Sequence, residues 1–588
     1  MSHRAILTEL QKPLPKRIIA RLKCAAPADA WNIWCNHLSR RKKILPLSRL
    51  LPNSKCPLNW SVDLSLQRDE TIAFIETLTD QIPADKTDET INDLLQGWSV
   101  MEDTDIFNST DAMQCVSTAW TLPALSQSIK PDLWWSIIDR LVTVAADTLQ
   151  LDVKKQPLAA NLLGGELPLA LAYLFPELKS TAELSHSAID FLSEALVEML
   201  DGEGMPEACY LPRFGPLLGC WTRCRAIMQQ RKDFLWSSEA ENRYLWLLTQ
   251  AVRLSRSDGG FAFGPSDHSE SDRSLLLTAV KYFGSKSDLK AAKKLVGQKT
   301  SKSGRKIEIS AAYHSDWSAI GVLRSKFHSR SRKLCVAYGD SQNRIELSQG
   351  SHVLFSGDVR SRTMIDNAVE TLTQSKRWEA VAWESDENVD FLEIETSLDE
   401  KTKLQRSFLL SRNDHFLLLA DTILCNHECS VHHQIQLPLG AGVTVDAQEE
   451  TWELLLKAPK AISRILPIGL PEWKSGCRQG NLAVKRRVVN IEQSGQTRLF
   501  VPLFIDLSPK RSRSKLTWRQ LSVGEQRKNV SADNAAGFRV HIAKKQWLIY
   551  RSLNRVTPRT ILGQNLLCEY HVSRFLESGM TKPLIEVQ

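Results

Sequence analysis

Apolar and polar positions follow two different periods along the chain. From about Pro57 to Gly284, apolar residues recur at spacings of three and four. Trp134, Ile137, Ile138, Leu141, Val142, Ala145 and Leu149 follow one another in this way after the start signal Pro131-Asp132. That spacing stacks side chains on one face of an α-helix. Ile189, Leu192, Leu196 and Met199 repeat it, and so do Tyr244, Leu247, Leu248, Val252 and Leu254. Helices of about 15 residues separated by short breaks predict an all-α layer with antiparallel neighbours.

After the lysine-rich stretch "GSKSDLKAAKKLVGQKTSKSGRK" the period falls to two. In "NRIELSQGSHVLFSGD", Ile345 and Leu347 alternate with Arg344, Glu346 and Ser348, "SQGS" supplies the turn, and Val353 and Phe355 resume on the return strand. This is the pattern of a half-buried β-hairpin. "FLLLADTIL", "CSVHHQIQLPL", "TRLFVPLFI" and "QWLIYRSL" continue the series at strand length, predicting a large antiparallel assembly. The expected division is a basic arm over 1–56, a helical domain over 57–284, a lysine-rich connector over 285–306 and a sheet domain over 307–588.

Composition adjusts this picture in three ways. A chain of 588 residues, 43% apolar and 24% charged, is that of an ordinary globular protein too long for a single core. The formal charge of +8 is uneven: residues 1–56 hold twelve Lys and Arg against Glu9 and Asp29, a net of +10, so the rest of the chain is near −2. The arm, with "RRKK" at Arg40 to Lys43, could touch nucleic acid, anionic lipid or a neighbouring subunit; beyond it no nucleic-acid partner is expected. Seventeen tryptophans either line a sugar-binding cleft or fill helical cores, and the second reading carries more weight. The N-terminus has no continuous apolar run, no window approaches the length of a membrane span, and twelve cysteines lack a disulfide spacing. These features predict a cytoplasmic protein with reduced thiols and no membrane partner.

The segment "DGEGMPEACYLPRF", Asp201 to Phe214, interrupts the helical half. Glycine and proline cost about 1 and 3 kcal/mol in a helix interior, so this is a break, and it presents Tyr210. Glu203 and Glu207 could form a carboxylate pair for glycoside hydrolysis, or Glu207 could bond to backbone N–H groups at the next helix start. The glycines lack the GK[ST] of a phosphate loop. "CNHECSVHH", from Cys425, invites a zinc reading. On a single strand Cys425, His427, Cys429 and His433 would share one side, but a second ligand pair at matching distance is missing. No cofactor is expected, with zinc the lesser reading.

Four stretches together resemble the heparinase II/III-like polysaccharide lyases, relatives of the alginate lyases. They are "NLLGGELPLALAYLFPEL" from Asn161, "DGEGMPEACY" from Asp201, "DGGFAFGPSDHSESDRSLLL" from Asp258 and "YGDSQNRIELSQGSHVLFSGD" from Tyr338. The resemblance implies an incomplete (α/α) toroid followed by an antiparallel β-sandwich. It also implies β-elimination next to a uronic acid, with an acidic glycan or oligosaccharide as partner. In that chemistry a base removes the proton at C5 and the oxygen at C4 departs, while a neutralised carboxylate stabilises the enolate-like charge.

By the same resemblance Asn161 neutralises the carboxylate and Tyr210 handles protons, its pKa lowered by Arg213, which could instead bind the uronate. Glu207, His314 and Asp340 complete the implied substrate-binding set, Asp340 being what survives of a His-x-Asp pattern. Two histidines of the family are missing: Leu162 follows the amide, and Tyr338 stands at a sheet histidine position, where it or the nearby His314 could substitute. Losing one general acid or base typically lowers a rate about 10²- to 10⁴-fold. Three readings therefore stay open: a lyase, a retired member that binds saccharide or a protein partner, and a hydrolase using Glu203 or Glu207.

Overall fold

The computed structural model describes residues 9–11, 14–52, 54–63, 68–80, 89–100, 108–265, 269–299, 307–339, 343–366, 368–370 and 377–588. The chain forms two compact units. A helical unit comprises Met1–Val252 and Gly259–Leu289, and a sheet unit comprises Arg253–Asp258 and Lys290–Gln588.

The helical unit is an incomplete (α/α) toroid whose helices each bury an apolar stripe. Helix Pro131–Asp147 begins with proline in its first turn, as predicted, and buries Trp134, Trp135, Ile137, Ile138, Leu141, Val144 and Ala145. Trp134 packs edge-on against Trp31 at 5.7 Å, Trp135 at 4.8 Å and Phe175 at 5.5 Å, so these tryptophans fill a core. Helix Leu167–Leu174 is buried on every side. It follows a π-helical segment, Asn161–Glu166, that carries two adjacent glycines. A Cβ on Gly165 would lie 2.5 Å from Leu192 Cδ2, and one on Gly164 would lie 2.9 Å from the Thr148 carbonyl oxygen. Close helix approach therefore explains glycines that would otherwise weaken a helix.

The basic N-terminal segment differs from the expected free arm. Helices Lys16–Cys24 and Pro27–Arg40 belong to the helical unit, and the second buries Trp34, which stacks on Trp135. His37 Nε2 lies 2.8 Å from Glu177 Oε1, and Arg41 donates to the Leu174 carbonyl and the Glu177 carboxylate. Burial pushes the Glu177 carboxyl up, but the bond from His37 and the charge of Arg41 outweigh it and hold the group below its usual range. Apolar residues between the charges, Trp31, Trp34 and Leu38, draw the segment into the core. The expected connector is also partly helical, over Lys286–Leu295, while residues 300–306 lie outside the described residues.

The sheet unit is an antiparallel β-sandwich; its described residues form sheets of nine, eight, five and four strands. The predicted hairpin is present: strand Asn343–Gln349 pairs with His352–Ile365, and Gln349 opposes His352 across a turn in which Gly350 has φ of +63°. The predicted polar face is not solvated. Glu346 and Ser348 are buried, and Glu346 is paired with Arg256 Nη1 at 3.0 Å and Lys333 Nζ at 3.3 Å.

The faces of the eight- and five-stranded sheets share a core that includes Phe391, Phe416, Phe504, Trp518, Phe538 and Trp547. Between the nine- and eight-stranded sheets lies a buried polar junction. On neighbouring strands Arg406 opposes Asp421, giving a pair with Nε and Nη2 both 2.7 Å from the carboxylate and neither side chain exposed. From the nine-stranded sheet, His433 Nε2 reaches Asp421 at 2.8 Å and its Nδ1 meets Thr363 Oγ1 at 2.9 Å. Asn343 Oδ1 accepts from Arg406 Nη1 at 2.8 Å.

Candidate active site

Each unit contributes part of the predicted set. In the helical unit the break after helix Lys179–Met199 is organised by Asp201, which sequence reasoning passed over. Its Oδ1 accepts from the backbone N–H groups of Glu203 at 2.9 Å and Met205 at 2.8 Å. Gly204, at φ +76°, completes the turn. The capping expected of Glu207 is absent: Glu207 opens the 3₁₀ helix Ala208–Arg213 without a side-chain capping bond, and its backbone N–H donates to the Met199 carbonyl. Glu203 is exposed and Glu207 half-buried.

Tyr210 lies within that 3₁₀ helix and is buried. Burial pushes its phenol up, and the thiol of Cys209 and the carboxylates of Glu207 and Glu198 push it further in the same direction. Arg213 does not supply the expected opposing charge. Its exposed guanidinium turns to Asp63, with Nε 3.3 Å from Oδ2. At neutral pH Tyr210 is a phenol, able to donate a proton and not poised to accept one.

Asn161 is fully buried at the start of the π-helical segment. Its amide nitrogen donates to the Pro157 carbonyl at 2.8 Å and to Met199 Sδ at 3.4 Å, and its Oδ1 accepts from Trp221 Nε1 at 2.8 Å. Both amide hydrogens are committed to internal partners, so in this conformation the side chain serves the helical core. One turn later Glu166 receives Arg223 Nε at 2.6 Å and Nη2 at 2.7 Å, with both groups fully buried. Leu162, at the expected histidine position, is likewise buried.

The sheet unit brings together the remaining pair. His314, on strand Tyr313–Ser315, places Nε2 2.8 Å from the hydroxyl of Tyr338, a residue 24 positions later that directly follows strand Arg332–Ala337. Their rings lie nearly parallel, 13° apart, and Trp383 also stacks with His314 at 5.2 Å. Burial lowers the His314 pKa, so the imidazole is neutral at neutral pH and Nε2 can accept the phenol proton. The Tyr338 hydroxyl is pushed up first by burial and then by Asp316, while Arg377 pulls in the opposite direction. Asp316 itself lies 3.6 Å from His314 and is open to solvent.

Sequence reasoning missed Trp383, Arg377 and Asp316. Trp383 and Arg377 come from an edge strand, Glu379–Ser385, and its approach, too far along the chain for a local signal. The tetrad "HSDW" at His314 to Trp317 was the available hint; Trp317 is half exposed. Asp340 lies outside the described residues.

The expected zinc segment does not run along one strand. Cys425 ends strand Phe416–Cys425, and His432 and His433 lie on strand Ser430–Pro438 after a turn. His433 is engaged by Asp421 and Thr363, and His432 by Ser494. Among the described residues, the ligand-type triads that come close together are Glu166–Cys220–Cys224 and Cys568–His571–Glu586. In the first, Glu166 already holds a guanidinium.

No family model and no curated protein matches the chain. Solved structures do match it in shape. A heparan sulfate lyase, HepC from Pedobacter heparinus, superposes with a TM-score of 0.57 at 10% identity, covering 94% of this chain and 100% of its own. A structure of heparinase III gives 0.63 at 11% identity, over 93% of this chain and 99% of that one. A second heparinase III structure gives 0.59 at 10% identity over the same shares. The fold is a polysaccharide-lyase fold. With only a tenth of positions identical, the likeness assigns the architecture and leaves the chemistry to the residues described above.

Proposed function

We propose that the chain is a polysaccharide lyase that cleaves a uronate-containing glycan by β-elimination, with His314 and Tyr338 handling the protons. The observation that carries this reading is the 2.8 Å bond between His314 Nε2 and the Tyr338 hydroxyl beside the stacked Trp383. A neutral imidazole and a protonated phenol are the two states that elimination needs. As the imidazole draws the phenol proton, the phenolate oxygen takes the proton from C5, the C4–C5 double bond forms as the C4–O4 bond breaks with its electron pair on O4, and the imidazolium gives its proton to O4, which restores the neutral imidazole and the phenol. Arg377, whose charge already acts on Tyr338, is the group that would neutralise the uronate, in place of the committed Asn161. Trp383 and the half-exposed Trp317 offer apolar faces for sugar rings.

The test is the ultraviolet absorbance of the unsaturated product when purified protein is incubated with a panel of uronate polymers and oligomers. Activity should fall about 10²- to 10⁴-fold in Tyr338→Phe and in His314→Gln. Equal activity in both variants would overturn the assignment.

A second reading, a binding-only protein, is favoured by one observation: Asn161 has both amide hydrogens bonded internally. It predicts no unsaturated product from any polymer, together with saturable binding of at least one that is lost on substituting Trp383. Products lacking unsaturation would instead point to hydrolysis through Glu203 or Glu207.

A further inference from the structure

One end of the sheet unit carries a cavity of about 590 Å³ that none of the residues above explains. It is formed by turns: 329–332 before strand Arg332–Ala337, the hairpin turn at Gly350, the turn at Lys460 before strand Ala461–Pro467, His415 ahead of strand Phe416–Cys425, and the 3₁₀ helix Pro509–Arg511. Its lining includes Arg330, Arg332, Lys460 and Lys510, with His352 and His415, and not one carboxylate.

Asp506, two residues before the lining Ser508, is already engaged. Asp506 receives Arg511 Nε at 3.0 Å and Nη2 at 2.5 Å. Arg332 is oriented by the neutral Leu507 carbonyl, which accepts from its Nε at 3.1 Å and Nη2 at 3.0 Å, and the charge of Asp506, already paired with Arg511, offsets its charge only in part. Arg330, Lys460 and Lys510 have no carboxylate partner among the described residues. The buried His352 Nε2 has no hydrogen-bond partner among the described residues. The field of the cavity is registered by these groups. Burial lowers His415 to about 4, with Arg332, Arg511 and Lys545 adding to the shift, and burial with the charge of Arg511 lowers Arg332 to about 10.

Cations without a carboxylate partner and an orphaned imidazole nitrogen converging in a concavity describe a site for an anion with several acceptor oxygens. The volume falls within the range of small-molecule sites and far exceeds one inorganic ion, and the hydroxyls of Ser329, Ser351 and Ser508 line the remainder. We propose that this cavity binds a sugar-sized molecule carrying a sulfate or phosphate ester, the ester lying among Arg332, Lys460 and Lys510. The proposal shares no residue with the elimination site and stands whether or not the chain is a lyase.

Calorimetric titration of the full chain with N-acetylglucosamine sulfate, glucose phosphate and the two parent sugars tests it, and which ester binds identifies the source. The expected result is saturable binding of at least one ester, none of the parent sugars, and a weakening of about tenfold or more in Lys460→Glu and in Lys510→Glu. Both lysines are exposed, so neither change threatens the fold. No binding of either ester, equal binding of a parent sugar, or unchanged affinity in both variants would overturn the proposal.

Discussion

Replacing Asp421 with asparagine isolates what the polar junction between the two largest sheets contributes. Asp421→Asn keeps the side-chain size and removes the charge that holds Arg406, which remains fully buried. Breaking one side of a buried ion pair destabilises by about 3–5 kcal/mol, because the surviving charge is left without compensation. Arg406 keeps Asn343 Oδ1, the Ser361 hydroxyl and the face of Trp378 at 5.3 Å, which together hold back about 1 kcal/mol. The net expectation is a loss of about 3 kcal/mol. For a sheet unit of about 300 residues, an unfolding entropy of roughly 2 cal/mol/K per residue converts this to a midpoint lower by about 5 °C.

The pH dependence has a definite sign. Burial pushes the Asp421 carboxyl up, but the charge and bonds of Arg406 and the bond from His433 outweigh it and hold the group well below the usual carboxylate range. A depressed folded pKa gives stability that is complete above the unfolded value of about 4 and is lost as pH falls toward the folded one. Calorimetric melts should therefore show a constant deficit for the variant down to about pH 5, narrowing below about pH 4. Asp421→Leu combined with Arg406→Met should recover most of the loss, since a well-packed apolar pair removes both charges. An unchanged midpoint in the single variant, or a double variant as unstable as the sum of its parts, would refute the reasoning.

Other consequences can be checked as directly. Glu166→Gln in the helical unit strands the fully buried Arg223 in the same way and should lower stability by about 3 kcal/mol, read as an earlier loss of helical circular dichroism. Gly204→Ala places a Cβ 2.3 Å from the Leu247 backbone nitrogen at a φ of +76°, and should cost about 2 kcal/mol or more in chemical denaturation. Thiol titration of the native protein should label the exposed Cys24 and Cys209 first. Cys115, raised to about 12 by complete burial, should react only on unfolding.

The architecture was legible in the sequence because it rests on period. The stripe from Trp134 to Ala145 and the alternation around Ile345 and Leu347 required nothing beyond local side-chain direction. Charge misled where apolar residues lay between the basic ones: the segment holding Arg40 to Lys43 is drawn into the core by Trp34 and Leu38, and Arg41 serves Glu177. The site was legible in its parts and not in its pairing. Tyr338 and His314 were both singled out, yet their bond depends on how strand Tyr313–Ser315 lies beside strand Ile320–Arg324, and hence on sheet order. Arg213 failed as a partner for Tyr210 because Asp63, 150 positions earlier, takes its guanidinium, even though residues three apart eclipse in a 3₁₀ turn. Asp201 went unnoticed because an aspartate before glycine signals only a turn, while its two backbone bonds emerge from the folded chain.

The path of the chain through its two units bears on how the protein is made. Residues Arg253–Asp258 belong to the sheet unit although they precede the last helices of the helical unit, and Arg256 among them, beside Asp258 at 3.6 Å, makes its shorter ion pair with Glu346 at 3.0 Å. During synthesis the helical unit cannot close until residue 289 has left the ribosome, and by then a six-residue piece of the next unit has already emerged, some ninety residues ahead of the strand that brings Glu346 to Arg256. A cut at any single peptide bond would leave one fragment holding a strip of the other's core. The two units are thus one product of translation, to be expressed, engineered or inherited together.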